Sequence, residues 1–149
     1  MCLLCLPRPE VDIVQETCTV TGWGRPALDT PLPRAAAYWE DTETDGILRE
    51  AELEVVDMER CAASLDTDPR HLESFVCGDT VEGELGEQSA CFLGLDGGSP
   101  LSCEAEGRHY LGGIVIFSTV CGGQAPSVFL KVSNYVGWIL ENYAAIRYN

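Results

Sequence analysis

Asp96-Gly97-Gly98-Ser99-Pro100-Leu101, set between Cys91 and Cys103, is the stretch from which this chain is best read. An acidic residue, two glycines and a serine ahead of proline make a strong turn signal. Glycine takes positive φ at no steric cost, and proline restricts the residue before it. A turn alone decides little; the flanking segments add the strands. Downstream, Tyr110 to Phe117 is apolar, β-branched and interrupted by glycines, as a buried strand is, and Val128-Phe129-Leu130-Lys131-Val132 reads as the last strand. Upstream, Ala51, Leu53 and Val55 alternate with Glu50, Glu52 and Glu54, the period of a strand with one wet face. At the C-terminal end Ser133 reads as the cap of a helix on which Val136, Ile139, Leu140 and Tyr143 recur, a stripe expected to pack on the core. The pattern is all-β with two helical pieces, without internal repeats or low-complexity segments.

Composition narrows the class. The 149 residues carry 24 Asp and Glu against 9 Lys and Arg, a formal charge of −15, which makes nucleic acid and anionic membrane surfaces poor partners. No apolar run reaches the length of a membrane span. Eight cysteines with no paired zinc-ligand spacing point to disulfides and an oxidising compartment. Cys2-x-x-Cys5 is the formal exception, and it lacks the second ligand pair that zinc requires. No metal site and no cofactor are expected.

The landmarks around the glycine-rich turn occur in the order of the C-terminal half of the trypsin-like serine protease family, which the chain resembles over almost its whole length. Cys5-Leu6-Pro7 is similar to the segment joining that family's two barrels, and Cys18-Thr19-Val20-Thr21-Gly22-Trp23-Gly24 matches its Cys-x-x-x-Gly-Trp-Gly. Cys61 falls in the family's short intermediate helix. Phe75-Val76-Cys77-Gly78, Gly112-Gly113-Ile114-Val115, Cys121, Pro126-Ser127-Val128-Phe129 and Val136-Gly137-Trp138-Ile139 follow in register. The resemblance implies the second six-stranded β-barrel of the double-barrel fold over residues 1–149, with a short intermediate helix and a C-terminal helix, and with the N-terminal barrel absent from the chain. Asp-Gly-Gly-Ser-Pro-Leu resembles the variant carried by arthropod clip-domain serine protease homologues.

By that resemblance the catalytic apparatus is degenerate. The family's loop is Gly-Asp-Ser-Gly-Gly-Pro-Leu, so alignment on Asp96 and Pro100-Leu101 puts Gly97 at the nucleophile position, flanked by Asp96, Gly98 and Ser99. Glycine has no side chain with which to form an acyl-enzyme. Ser99 lies two residues further on, displaced by roughly 6 to 7 Å, far outside attack geometry. The family's base and orienting acid come from its N-terminal half. The two histidines, His71 and His109, lie in a polar turn and a hairpin and read as surface residues. Leu95 replaces the glycine that turns an oxyanion-hole amide inward, and Cys91 to Asp96 is two residues longer than usual. The pocket is altered too. Ser89 stands where trypsin-like enzymes carry their specificity aspartate, Ile116-Phe117-Ser118 replaces Ser-Trp-Gly, and Ser127 replaces a pocket-lining glycine.

The same resemblance implies disulfides Cys18–Cys103, Cys61–Cys77 and Cys91–Cys121, with Cys5 pairing to an N-terminal segment outside the chain and Cys2 left over. Residues 25–46 correspond to a surface loop of variable length, here proline-containing and acidic. As a partner-binding loop it would anchor on Tyr38 and Trp39 beside Glu40, Asp41 and Glu43; the alternative is a solvated loop. Met1 to Leu6 lacks the basic start and cleavage site of a signal peptide, so a disulfide-rich extracellular reading implies a fragment or partial sequence. The function implied is a secreted, non-catalytic homologue acting as cofactor or binding scaffold, with proteases or zymogens of an innate-immune cascade as protein partners. The alternative is an active serine endopeptidase whose triad is hidden by truncation or sequence error.

Overall fold

Alternation along Arg49–Val56 sets the inside of the fold. In this strand (β2) Leu53 and Val55 are buried while Glu50 and Glu52 are exposed, because successive side chains of a strand leave on opposite faces. The same alternation runs through Thr17–Gly22 (β1), where Cys18 and Val20 point inward, and Pro100–Ala105 (β4), where Leu101 and Cys103 do. With Phe75–Thr80 (β3), Arg108–Phe117 (β5) and Ser127–Lys131 (β6), these strands close a six-stranded barrel in the order β1-β2-β3-β6-β5-β4, every pair antiparallel. The computed structural model describes residues 4–8, 13, 14, 16–23, 46–80, 96–117 and 126–147.

The barrel is filled by Val20, Leu53, Val55, Leu101, Val115 and Phe129, all at most 4% exposed. A second cluster closes one end, where Val56, Cys77 and Val128 meet Cys61 and Ala62 of the helix Met58–Ser64 (α1) and Leu72 of the 3-10 turn Pro69–Leu72. Local chemistry starts both helical pieces. Asp57 caps α1 by accepting from the Arg60 N–H at 2.7 Å, and Asp68 caps the 3-10 turn by accepting from the Arg70 N–H at 2.9 Å. Two disulfides fasten these layers. Cys18–Cys103 joins directly opposed residues of β1 and β4, and Cys61–Cys77 ties α1 to β3. Cys5 is exposed and forms no disulfide. Its N–H donates to His109 O and its carbonyl accepts from Leu111 N–H, each at 2.9 Å, as a parallel bridge beside β5.

The C-terminal helix departs from the sequence reading. Ser133 does not cap it; Ser133 lies inside a 3-10 turn, Val132–Tyr135, that precedes the helix Val136–Arg147 (α2). The apolar stripe is not a core face either: Leu140 and Tyr143 are each 54% exposed and Val136 and Ile139 are only half-buried, whereas Val132 of the preceding turn is buried. Helical periodicity marks a face but does not supply a surface to cover it. Asn134 fixes where the chain leaves the barrel, its amide donating to Glu73 O at 3.1 Å, and α2 then packs chiefly on its own preceding turn.

Candidate functional site

The candidate site forms where β1 ends, β4 begins and β5 ends. Asp96 to Ser99 make a closed turn, with Ser99 N–H donating to Asp96 O at 3.0 Å and Gly98 at φ 93°. A third-position residue with positive φ is what a type II turn requires, and glycine meets it without strain. Two further bonds fix the turn to β5: Gly98 N–H to Val115 O at 3.0 Å and Val115 N–H to Ser99 O at 2.9 Å. The Gly98 amide is therefore committed to the strand.

Asp96 is the buried charged residue of this corner, at 1% exposure. Its Oδ1 accepts from the Trp23 N–H at 2.9 Å, a charge-assisted bond that ties the turn to the end of β1. Room for the carboxylate comes from Gly22. A Cβ there would lie 2.5 Å from Asp96 Oδ1 and 3.0 Å from its Cγ. Gly22 and Asp96 are thus a matched pair, distant in sequence and brought together by the β1–β4 register. In the sequence alone Asp96 serves only as an alignment point, and nothing there pairs it with Gly22. The signal was the glycine of Gly22-Trp23-Gly24, whose missing side chain marks a close approach.

Above the buried aspartate, Gly97 and Gly98 are exposed, and Ser99 is half-buried. The turn thus presents glycine backbone at its apex. Neither described histidine approaches it. His109 is exposed near the start of β5, six residues from Val115, or about 20 Å along an extended strand. His71 is exposed in the 3-10 turn next to α1, at the far end of β2 from Trp23. The corner holds a carboxylate and backbone dipoles, without imidazole among the described residues.

The remaining residues singled out in the sequence fall unevenly. Ile116 sits at a bulge between Val115 and Phe117 and is 43% exposed, and the Phe117 backbone pairs with Val128. Ser127 is buried at the head of β6, opposite Gly78. Ser89, Ser118, Leu95, Cys2, Cys91 and Cys121 lie outside the described residues, as do Tyr38, Trp39, Glu40, Asp41 and Glu43 of the 25–46 segment. Among the described residues no three His, Cys, Asp or Glu side chains gather as a metal site, and no helix is long and apolar enough to cross a membrane. Around the corner Trp23, Ile47, Leu48 and Ile116 expose 43 to 56% of their surface, an apolar rim suited to contact rather than to chemistry.

Comparison with known proteins gives the same outline. The sequence matches the family model described as Trypsin over residues 2–139. It is 30% identical over 141 residues to Protein masquerade of Drosophila melanogaster, an alignment covering 93% of this chain and 12% of that protein. It is also 30% identical over 146 residues to the Inactive CLIP domain-containing serine protease A28 of Anopheles gambiae, covering 93% of this chain and 34% of that protein. The chain spans about a third or less of the length of these curated relatives.

Proposed function

The chain belongs to the trypsin family, and from that premise we propose that it is a non-catalytic serine protease homologue that works by binding other proteins. The observation that carries this reading is Gly97. At the position where the family's attacking serine belongs stands an exposed residue with no side chain, on a turn held by Asp96 and β5. No nucleophile means no acyl-enzyme, and neither His71 nor His109 is placed to supply the triad's base. The relative described as inactive supports the same reading.

In this reading residues 1–149 are the C-terminal barrel of a peptidase-like domain, and 25–46 are a surface insert whose Tyr38, Trp39, Glu40, Asp41 and Glu43 contact a partner. The protein is secreted, its disulfides formed in an oxidising compartment, and it needs no cofactor. Its partners are proteases or zymogens of an extracellular innate-immune cascade, for which it serves as cofactor or scaffold, and Cys5 links it to a segment N-terminal to this chain. The test is turnover. The full-length protein, incubated with peptide substrates bearing Arg, Lys or Phe before the scissile bond, is expected to release no product. Saturable cleavage that survives removal of contaminating proteases would contradict the proposal and favour an active endopeptidase.

A further inference from the structure

The outer face of β1 and β2 carries a charge pattern that the barrel itself does not use. Thr17, Thr19 and Thr21 stand opposite Glu54, Glu52 and Glu50. Side chains on one face of a strand recur at about 6.6 Å, so the three carboxylates run along a track of about 13 Å. Glu54 lies opposite Asp79, whose own carboxylate is held by Arg60 at 2.9 Å, and Glu104 continues the acidic face on β4. Among the described residues no salt bridge engages Glu50, Glu52, Glu54 or Glu104. Like charges so spaced repel, and the isolated barrel gains nothing from them. One end of the track is apolar: Gly22 pairs with Arg49, which brings exposed Trp23 beside exposed Leu48 and Ile47.

We propose that this wall is a docking surface for a basic, extended segment of another protein, a step that rests on the binding function proposed above. Charge selects the occupant. A second copy of a chain with net charge −15 is repelled, as are polyanions. In the closed barrel β1 is flanked by β2 and β4, and β2 by β1 and β3, so this wall offers no edge for a β-strand to extend, and recognition falls to side chains. An extended segment with Lys or Arg at alternate positions repeats at the same spacing as Glu50, Glu52 and Glu54. An apolar residue following them meets Trp23, Ile47 and Leu48.

The probe is a fluorescein-labelled peptide of alternating lysine and threonine ending in two leucines. Its binding to the oxidised chain is read by anisotropy at low salt and at about 0.15 M, where the screening length is about 8 Å. The combined Glu50→Gln, Glu52→Gln and Glu54→Gln variant is expected to weaken binding about tenfold, at a few tenths to one kcal/mol per exposed pair. A charge-matched control, Glu59→Gln, Glu73→Gln and Glu141→Gln, is expected to stay within about twofold. Equal loss in both variants would reduce the effect to net charge and overturn the proposal, as would no binding by the unmodified chain. Should the first variant not fold, peptide-induced NMR shifts in the unmodified chain decide. Shifts at the Thr17, Thr19 and Thr21 methyls and the Trp23 indole support the wall, and shifts confined elsewhere overturn it. If binding fails while the full-length protein also shows no peptidase turnover, the wall falls and the non-catalytic reading stands; turnover removes that reading itself.

Discussion

Gly22→Ala is expected to destabilise the barrel although Ala is ordinarily the better residue inside a strand, where glycine costs roughly 0.5 to 1 kcal/mol. The added methyl would lie 2.5 Å from Asp96 Oδ1, the atom that accepts from Trp23 N–H at 2.9 Å. Something must move, and the carboxylate is packed at 1% exposure. Overfilling a packed site costs about 1 to 3 kcal/mol, and losing a hydrogen bond to a charged acceptor about 1.5 to 3. The two overlap, because a shifted carboxylate relieves the clash by giving up the bond, so we expect about 2 to 4 kcal/mol. With a urea slope of about 2 kcal/mol/M the midpoint falls by about 1 to 2 M. The assay is equilibrium unfolding of the oxidised chain, run as a cycle with Asp96→Ala. Removing the carboxylate makes room for the methyl, so the double variant should be less destabilised than the sum of the singles by at least about 1 kcal/mol. Additive effects, or a Gly22→Ala variant as stable as the parent, would refute the steric and hydrogen-bond reasoning.

Three further outcomes follow from the same geometry. Replacing Cys18 and Cys103 with Ala opens a crosslink of sequence separation 85 and should cost about 4.5 kcal/mol by loop entropy, against about 3 for Cys61 and Cys77 at separation 16. Thermal or urea midpoints check the order, and a larger loss for the shorter loop would count against it. Asp57→Ala should cost about 1 kcal/mol by removing the α1 cap, and Asp57→Asn much less, as read from denaturation midpoints. The Arg70 guanidinium, bonded to both Asp68 oxygens and helped by the Arg70 backbone N–H, holds the Asp68 carboxyl below its ordinary 3.8. A depressed carboxyl stabilises the fold above its unfolded value and loses that contribution as pH falls through the folded one. Side-chain carbon shifts should therefore titrate below 3.8, and Arg70→Gln should move the titration up toward it.

The strands were legible because each half-wet strand writes its register into the sequence. Leu53 and Val55 against Glu50 and Glu52 give the inside of β2 directly, and the ordered Cys, Gly and Trp landmarks carry the family. Boundaries shifted where pairing extends beyond the apolar run. β5 begins at Arg108 rather than Tyr110 because Ala105 and Arg108 still pair across a turn at Gly107. The α2 stripe misleads because periodicity reports an apolar face and not its cover: Val136 and Ile139 are half-buried, and Leu140 and Tyr143 stand exposed. At the site, Gly97 was readable as a residue without a nucleophilic group. The fit of Asp96 into the space left by Gly22 was not, since it exists only once β1 and β4 are paired.

A non-catalytic corner holds no group at residue 97 that can form a covalent bond to an electrophile. Intact-mass spectrometry of the oxidised chain after prolonged exposure to a fluorophosphonate measures this directly, with the Gly97→Ser variant beside it. No adduct is expected on either, since residue 97 has no side chain in the first and no histidine beside it to act as base in the second. A stoichiometric adduct on the unmodified chain, mapped to Ser99 or any neighbouring residue, would contradict the non-catalytic reading.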